Sequence, residues 1–338
     1  MAGLSLPRLG VEVDCKLRRF HYHPGRKGRV IKLGAKAQRR AQQSPMEESR
    51  RIRFVCSQRE AGFTLVELLL AIAVIAILAG LLLTVLSKAQ ARAQTIQCLN
   101  NMKQLQLAWY TYADDHDDRI APNCPLQSAG KYPETASWVS GRITYETRAA
   151  EASLFSEATN TLLLVPGGCG SIGAYTKAPA IYKCPADKSW IEIGGQRHAR
   201  VRSVSMNQFM DGRNTPNFYW CNFQKMSDIL NPAPSQAFVF VDEHEDTIAM
   251  GAFHGVYHGT FWPDMYWANL PASRHGGMGT FSFADGHAEI RKWLDPRTLV
   301  PVERRASWNW YFDGHSPQNR DALWLWERTT SVYPDKPD

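Results

Sequence analysis

Apolar positions follow two regimes along the chain. Residues 63–86, FTLVELLLAIAVIAILAGLLLTVL, carry one charge, Glu67, and residues 68–83 are unbroken apolar or glycine. A helix of that length rises roughly 36 Å, more than a hydrocarbon core of about 30 Å, so the run predicts a membrane-spanning helix and not the core helix of a soluble protein. Beyond it the apolar residues thin to helical spacing, with Ile96, Leu99, Met102, Leu105, Trp109 and Tyr112 recurring every three or four positions among Gln, Asn and Lys. That is the pattern of an amphipathic helix packed on a domain, and it extends the membrane helix to about residue 113. Asp114, Asp115, Asp117 and Asp118 oppose the dipole of a helix C-terminus and Pro122 follows, so the helix is expected to stop there. The acidic run lacks the glycine of an EF-hand loop, with Arg119 in its place, and reads as a solvated turn.

From residue 120 onward the pattern is turn-rich with short β-like runs at 161–165, 237–241, 280–284 and 287–293. The last two predict a hairpin with Asp285-Gly286 as a two-residue turn. That register sets Phe283 opposite Ala288 and Phe281 opposite Ile290 on an apolar face, and Ser282 opposite Glu289 on a polar one. The fold class expected is α+β, a long N-terminal helix packed on a C-terminal antiparallel-sheet domain. Residues 1–62 would be a basic leader, 63–86 the membrane and assembly helix, 87–118 its amphipathic continuation, and 119–338 an extracytoplasmic domain.

Charge sharpens this division. The 338 residues hold 39 Lys and Arg against 32 Asp and Glu, a net charge of +7, but residues 1–45 carry +9, residues 46–62 carry +1 and residues 63–338 carry −3. A nucleic-acid partner is disfavoured, because phosphate recognition needs basic residues spread over the folded surface. Arg50, Arg51, Arg53 and Arg59 precede the span and by the positive-inside rule place the N-terminus in the cytoplasm. A cleaved secretory signal would find a small-x-small site at Ala89-Gln90-Ala91, but its apolar run is ordinarily about 7 to 15 residues. A plain anchor leaves Glu67 unexplained, since a carboxylate in a span costs up to about 2.5–3.5 kcal/mol near its centre.

Gly62-Phe63-Thr64-Leu65-Val66-Glu67, directly before the apolar span, resembles the processing site of type IV pilins and type II secretion pseudopilins. The resemblance implies that a prepilin peptidase and methyltransferase cuts after Gly62 and methylates the amine of Phe63. It also implies that Glu67 pairs with the amine of a neighbouring subunit, so that the partners are other pilin-like subunits in the inner membrane. Leaders of this family are short, and Met46 would give a leader of 17 residues with four arginines. Translation is therefore expected to start at Met46, with residues 1–45 an upstream extension; a basic arm is the alternative. A second likeness lies in SRHGGMGTFSFADGH, where His275, nine residues and Asp285-Gly286 are similar to the His-x9-Asp-Gly signature of a pilin-like branch with enlarged C-terminal domains. CLNNMKQLQLAW at Cys98, IYKCPAD around Cys184, RSVSMN near Met206 and VFVDEHED near Asp242 agree with it.

Four constellations offer candidate chemistry. Gly168-Cys169-Gly170-Ser171-Ile172-Gly173 matches a dinucleotide fingerprint, but Pro179 and Pro185 interrupt the helix it would need to open, so a glycine loop is expected. Asp242, Glu243, His244 and Asp246 follow a buried-looking strand and offer oxygen and imidazole ligands; a structural calcium is the candidate ion, against a solvated acidic loop and no cofactor. Pseudopilins of one class carry such a calcium. Of five cysteines after residue 62, Cys124, Cys169, Cys184 and Cys221 are the candidates for disulfides outside the cytoplasm, and the odd count leaves a thiol over. Trp308, Trp310, Trp324 and Trp326 crowd the C-terminal tail, as a glycan or partner surface or as core. The function expected is that of a non-enzymatic pilin-like subunit, with a membrane-anchored extracytoplasmic binding protein as the alternative and a metal-dependent hydrolase as a third reading without a demonstrable site.

Overall fold

The computed structural model describes residues 62–123, 137–145, 157–165, 171–211, 220–258, 265–305 and 314–332. The chain divides into two units, residues 1–62 and 63–338, and the second holds every element below.

Helix α1, Leu65–Asp115, runs 51 residues without a break, about 77 Å at 1.5 Å per residue. Thr64 caps it, and its first half is apolar on every side, with the large side chains of residues 63–86 between 47% and 76% exposed. Burial begins at Cys98 and continues through Met102, Leu105, Trp109 and Tyr112, widened by Asn101, Gln106, Ala108 and Ala113. Ile96, expected in this stripe, is instead 61% exposed. It lies two residues from Cys98, about 200° around the helix, and therefore on the far face. The helix ends where the acidic run begins to turn, with His116 as C-cap and positive φ at Asp117 and Asp118. The turn is docked as well as solvated, because Asp118 Oδ2 accepts from Ser227 N at 3.2 Å and Ser227 Oγ at 2.6 Å. Those bonds, the hydroxyl's first, hold the Asp118 carboxyl below its ordinary range.

Nine strands follow among the described residues: β1 (Trp190–Ile193), β2 (Gln196–Ala199), β3 (Val204–Asn207), β4 (Phe238–Asp242), β5 (Ala252–Phe253), β6 (Val256–His258), β7 (Met265–Trp267), β8 (Met278–Phe283) and β9 (Ala288–Lys292). The central sheet has the order β5-β3-β4-β8-β9; β3 and β5 are parallel and every other neighbour is antiparallel. β1–β2 and β6–β7 are separate hairpins. The head also contains the short helices α2 (Gly173–Thr176) and α3 (Arg320–Trp326). The α+β class is thus observed, a long apolar N-terminal helix joined to a domain of antiparallel and mixed sheets.

Two apolar clusters flank the central sheet. One joins Met102, Leu105, Trp109 and Tyr112 of α1 to Val204, Met206, Phe240, Trp138 and Tyr182. The other gathers Phe238, Phe281, Phe283 and Trp293 with Phe253, Trp267, Ala322 and Leu325. A bulge between Phe238 and Phe240 breaks the alternation of β4.

Two expectations are corrected. Residues 161–165 form a 3-10 turn at Thr161–Leu163 and no strand; Asn160 caps it by accepting from Leu162 N at 3.0 Å. The β8–β9 hairpin exists, but every pair is shifted by one: Thr280 faces Ile290, Phe281 faces Glu289 and Ser282 faces Ala288. Gly286 N–H bonds Phe283 O at 2.9 Å and Phe283 N–H bonds His287 O at 3.0 Å, which closes a three-residue loop, Ala284-Asp285-Gly286. Gly286 takes φ +98°, the left-handed position of a type I turn with a G1 bulge. The face read as polar is not solvated either, since Thr280 and Ser282 are fully buried against α1. Ser282 Oγ donates to Gln106 Oε1 at 2.8 Å, and Cys98 Sγ lies 3.3 Å from Thr280 Oγ1.

Candidate functional site

The N-terminal segment is built by a capping box. Glu67 N donates to Thr64 Oγ1 at 3.2 Å, and Glu67 Oε2 accepts from Thr64 N at 2.9 Å and from Thr64 Oγ1 at 2.8 Å. A carboxylate here satisfies amides that an α-helix leaves unpaired and faces the positive end of its dipole. Glu67 therefore has a partner within its own chain, besides the neighbour's amine that the resemblance implies. Phe63, Leu65 and Val66 are exposed, and a Cβ at Gly62 would meet open space, so nothing in the fold requires glycine there. α1 is long and apolar enough to cross a membrane, and its most apolar window is not buried at all.

The signature residues do not form one site. His275 sits in the turn before β8 and Asp285 in the loop after it, separated by a six-residue strand of about 20 Å. Asp285 is a turn residue: its Oδ1 accepts from His287 N at 3.1 Å and lies 2.5 Å from His287 Nδ1. Gly286 supplies the left-handed bulge. The Tyr110 hydroxyl donates to Ala284 O, fastening this tip to α1.

The acidic loop diverges. Glu243 accepts from Asn269 Nδ2 at 2.7 Å and Thr247 Oγ1 at 3.1 Å, and burial pushes its carboxyl up to about 7 against the opposing charge of Arg202. His244 uses both ring nitrogens, Nε2 on Val300 O at 3.0 Å and Nδ1 accepting from Asp246 N at 3.2 Å. Asp246 Oδ2 accepts from Glu303 N at 2.7 Å. Asp242 alone points elsewhere, accepting from Ser203 Oγ at 2.6 Å and pairing with Arg274 Nη1 at 2.6 Å. Arg274 also bonds Glu245 Oε1 at 2.9 Å and Glu243 O at 2.9 Å and lies 3.7 Å from Asp187. Burial works against the charge on Asp187, but Arg274, Lys183 and Ser189 outweigh it and lower its pKa.

Donor atoms do converge at one place among the described residues: Cys98, Cys184, Asp242 and His275, all buried, present atoms within 4.8 Å of one another. Sequence reasoning singled out Asp242 as a ligand but not its company. The available signal was that CLNNMKQ, KCPAD, VFVDE and SRHGG each contribute one member, while RSVSMN contributes Ser203. Cys98, Cys184 and Cys221 are free thiols, so the expected disulfides at Cys184 and Cys221 are not formed; Cys124 and Cys169 lie outside the described residues. Trp324 packs on Phe281 and Trp293, with ring centroids 5.4 Å and 6.3 Å away, so it is largely a core residue; Trp308 and Trp310 lie outside the described residues. Gly168, Cys169 and Gly170 do too, and Gly173 opens a helix of only four residues.

Among the described residues one exposed helix of membrane-spanning length continues into an α+β head, an arrangement consistent with a single-pass, membrane-anchored protein. Within that class the N-terminal segment is specific: the family model of the prokaryotic N-terminal methylation motif matches residues 57–83. No curated protein and no solved structure matches the chain.

Proposed function

We propose that the chain is a pilin-like structural subunit cut by a prepilin peptidase after Gly62, methylated at Phe63 and assembled through the exposed half of α1 into a type II secretion pseudopilus or type IV pilus-like filament. Its work is assembly and not catalysis, and the head stands outside the cytoplasm, the orientation favoured by Arg50, Arg51, Arg53 and Arg59. The observation that carries this reading is that the methylation motif, residues 57–83, runs into the half of α1 that is apolar on every side and unburied. Such a surface needs lipid before assembly and neighbouring helices after it. Cleavage after Gly62 would create an amine one residue from Thr64, the cap of Glu67, so the carboxylate is free to exchange an internal partner for a neighbour's charged amine.

Glu67→Ala tests this. Processing should continue, with the mature form abundant in membranes, while filament incorporation falls at least about tenfold. A variant that assembles as well as the wild type would leave Glu67 with the capping role alone and would favour a lone anchor.

A further inference from the structure

We propose that Cys98, Cys184, His275 and Asp242 form a structural site for a thiophilic divalent metal ion, zinc being the class member whose chemistry fits, which fastens α1 to the head. The proposal concerns the head alone and does not depend on assembly. Four donors of the Cys2HisAsp type within 4.8 Å of one another are the set expected of tetrahedral zinc, whose ligands at about 2.0–2.3 Å from the ion lie roughly 3.3–3.8 Å apart. Small rotations of buried side chains close the remaining gap.

The surrounding hydrogen bonds set each donor for this task. Thr95 Oγ1 donates its hydrogen to Ala91 O at 2.9 Å, so towards His275 Nδ1, 3.1 Å away, it can only accept. The proton of His275 is thereby placed on Nδ1, and Nε2 presents a lone pair, 3.2 Å from Cys184 Sγ. An imidazole oriented by a bond to its other nitrogen is the usual arrangement of a ligating histidine. Ser203 Oγ donates to Asp242 Oδ1 and accepts from Cys184 N at 2.9 Å, tying two ligands together. Thr280 Oγ1 can donate to Cys98 Sγ. Arg274 holds Asp242 from outside and balances its charge.

When a divalent cation binds, both thiol protons leave to solvent and the two thiolates balance the ion. A Cys98–Cys184 disulfide would leave the inward lone pair of His275 without the thiol it faces.

The test is metal analysis of the full chain purified in detergent, stripped with chelator and incubated with Zn2+ or Co2+. We expect one ion per chain and the near-ultraviolet charge-transfer absorption of a cobalt–thiolate complex. Binding should fall at least about tenfold in Cys184→Ser and His275→Ala and be unchanged in Cys221→Ser. Zinc content as low in the wild type as in Cys184→Ser, or a Cys98–Cys184 disulfide in non-reducing peptide mass spectrometry, would overturn the proposal. Should the variants fail to fold, the cobalt spectrum of the wild type decides: thiolate absorption supports the site and its absence refutes it.

Discussion

Polar side chains carry much of the contact between α1 and the sheet. Ser282 Oγ donates to Gln106 and accepts from Phe240 N at 3.2 Å, so Ser282→Ala strands a buried amide and an amide oxygen together. A loss of about 1–3 kcal/mol is expected, read as a lower urea midpoint with unchanged slope. Glu243 makes a pH-dependent contribution of known sign. Burial raises its folded pKa to about 7 from an ordinary 4.5, so the folded state holds a proton that the unfolded state has released. Stability from this group is therefore lost as pH rises from about 4.5 to 7. In Glu243→Gln the melting temperature, relative to wild type, should rise over that interval, whereas a constant difference would show that Glu243 titrates normally. At this scale the sequence was only half legible. Asp242 reads as a ligand because it ends an apolar strand, but its partners come from residues 98, 184 and 275, which no local pattern links to it. Ser282 reads as solvated because alternation in a strand cannot say whether a helix covers its polar face.

Gly286 shows the same limit for elements. Asp-Gly between two alternating runs announces a hairpin, and β8 and β9 are there. The dipeptide fits both a two-residue turn and a three-residue loop with a bulge, and the choice shifts every pair by one. The docking of Ala284 O on Tyr110 and the packing of Gly286 beside the same ring accompany the longer loop, and both are tertiary contacts. Gly286→Ala should cost about 1–2 kcal/mol, since the residue keeps φ +98° and a Cβ would sit 3.3 Å from the Tyr110 ring. Equal stability of the two proteins would mean that the loop relaxes to another turn. The β1–β2 hairpin has its local signal in Gly194-Gly195, at φ +59° and +77°, a two-residue turn. The apolar run at 161–165 has no strand partner, and Asn160 closes a turn there first. Helix α1 was the most legible element, its length, cap and end all lying in local residue types.

For the whole molecule, one helix has two environments. Its second half is the spine of the head, buried through Cys98, Met102, Leu105, Trp109 and Tyr112, while the apolar side chains of its first half are exposed among the described residues. That asymmetry is written in the sequence as a change from unbroken to periodic apolar positions, together with the methylation motif at residues 57–83. If the chain is cut after Gly62, the net charge of +7 becomes −3, and the basic excess belongs to the removed segment. The head, with its buried cluster of residues drawn from four distant strings, could be assembled only by folding. The most direct test is mass spectrometry of the N-terminal peptide of the protein from a membrane fraction. An N-methylated Phe63 as first residue is predicted; an intact leader, or a start after Ala91, would contradict it.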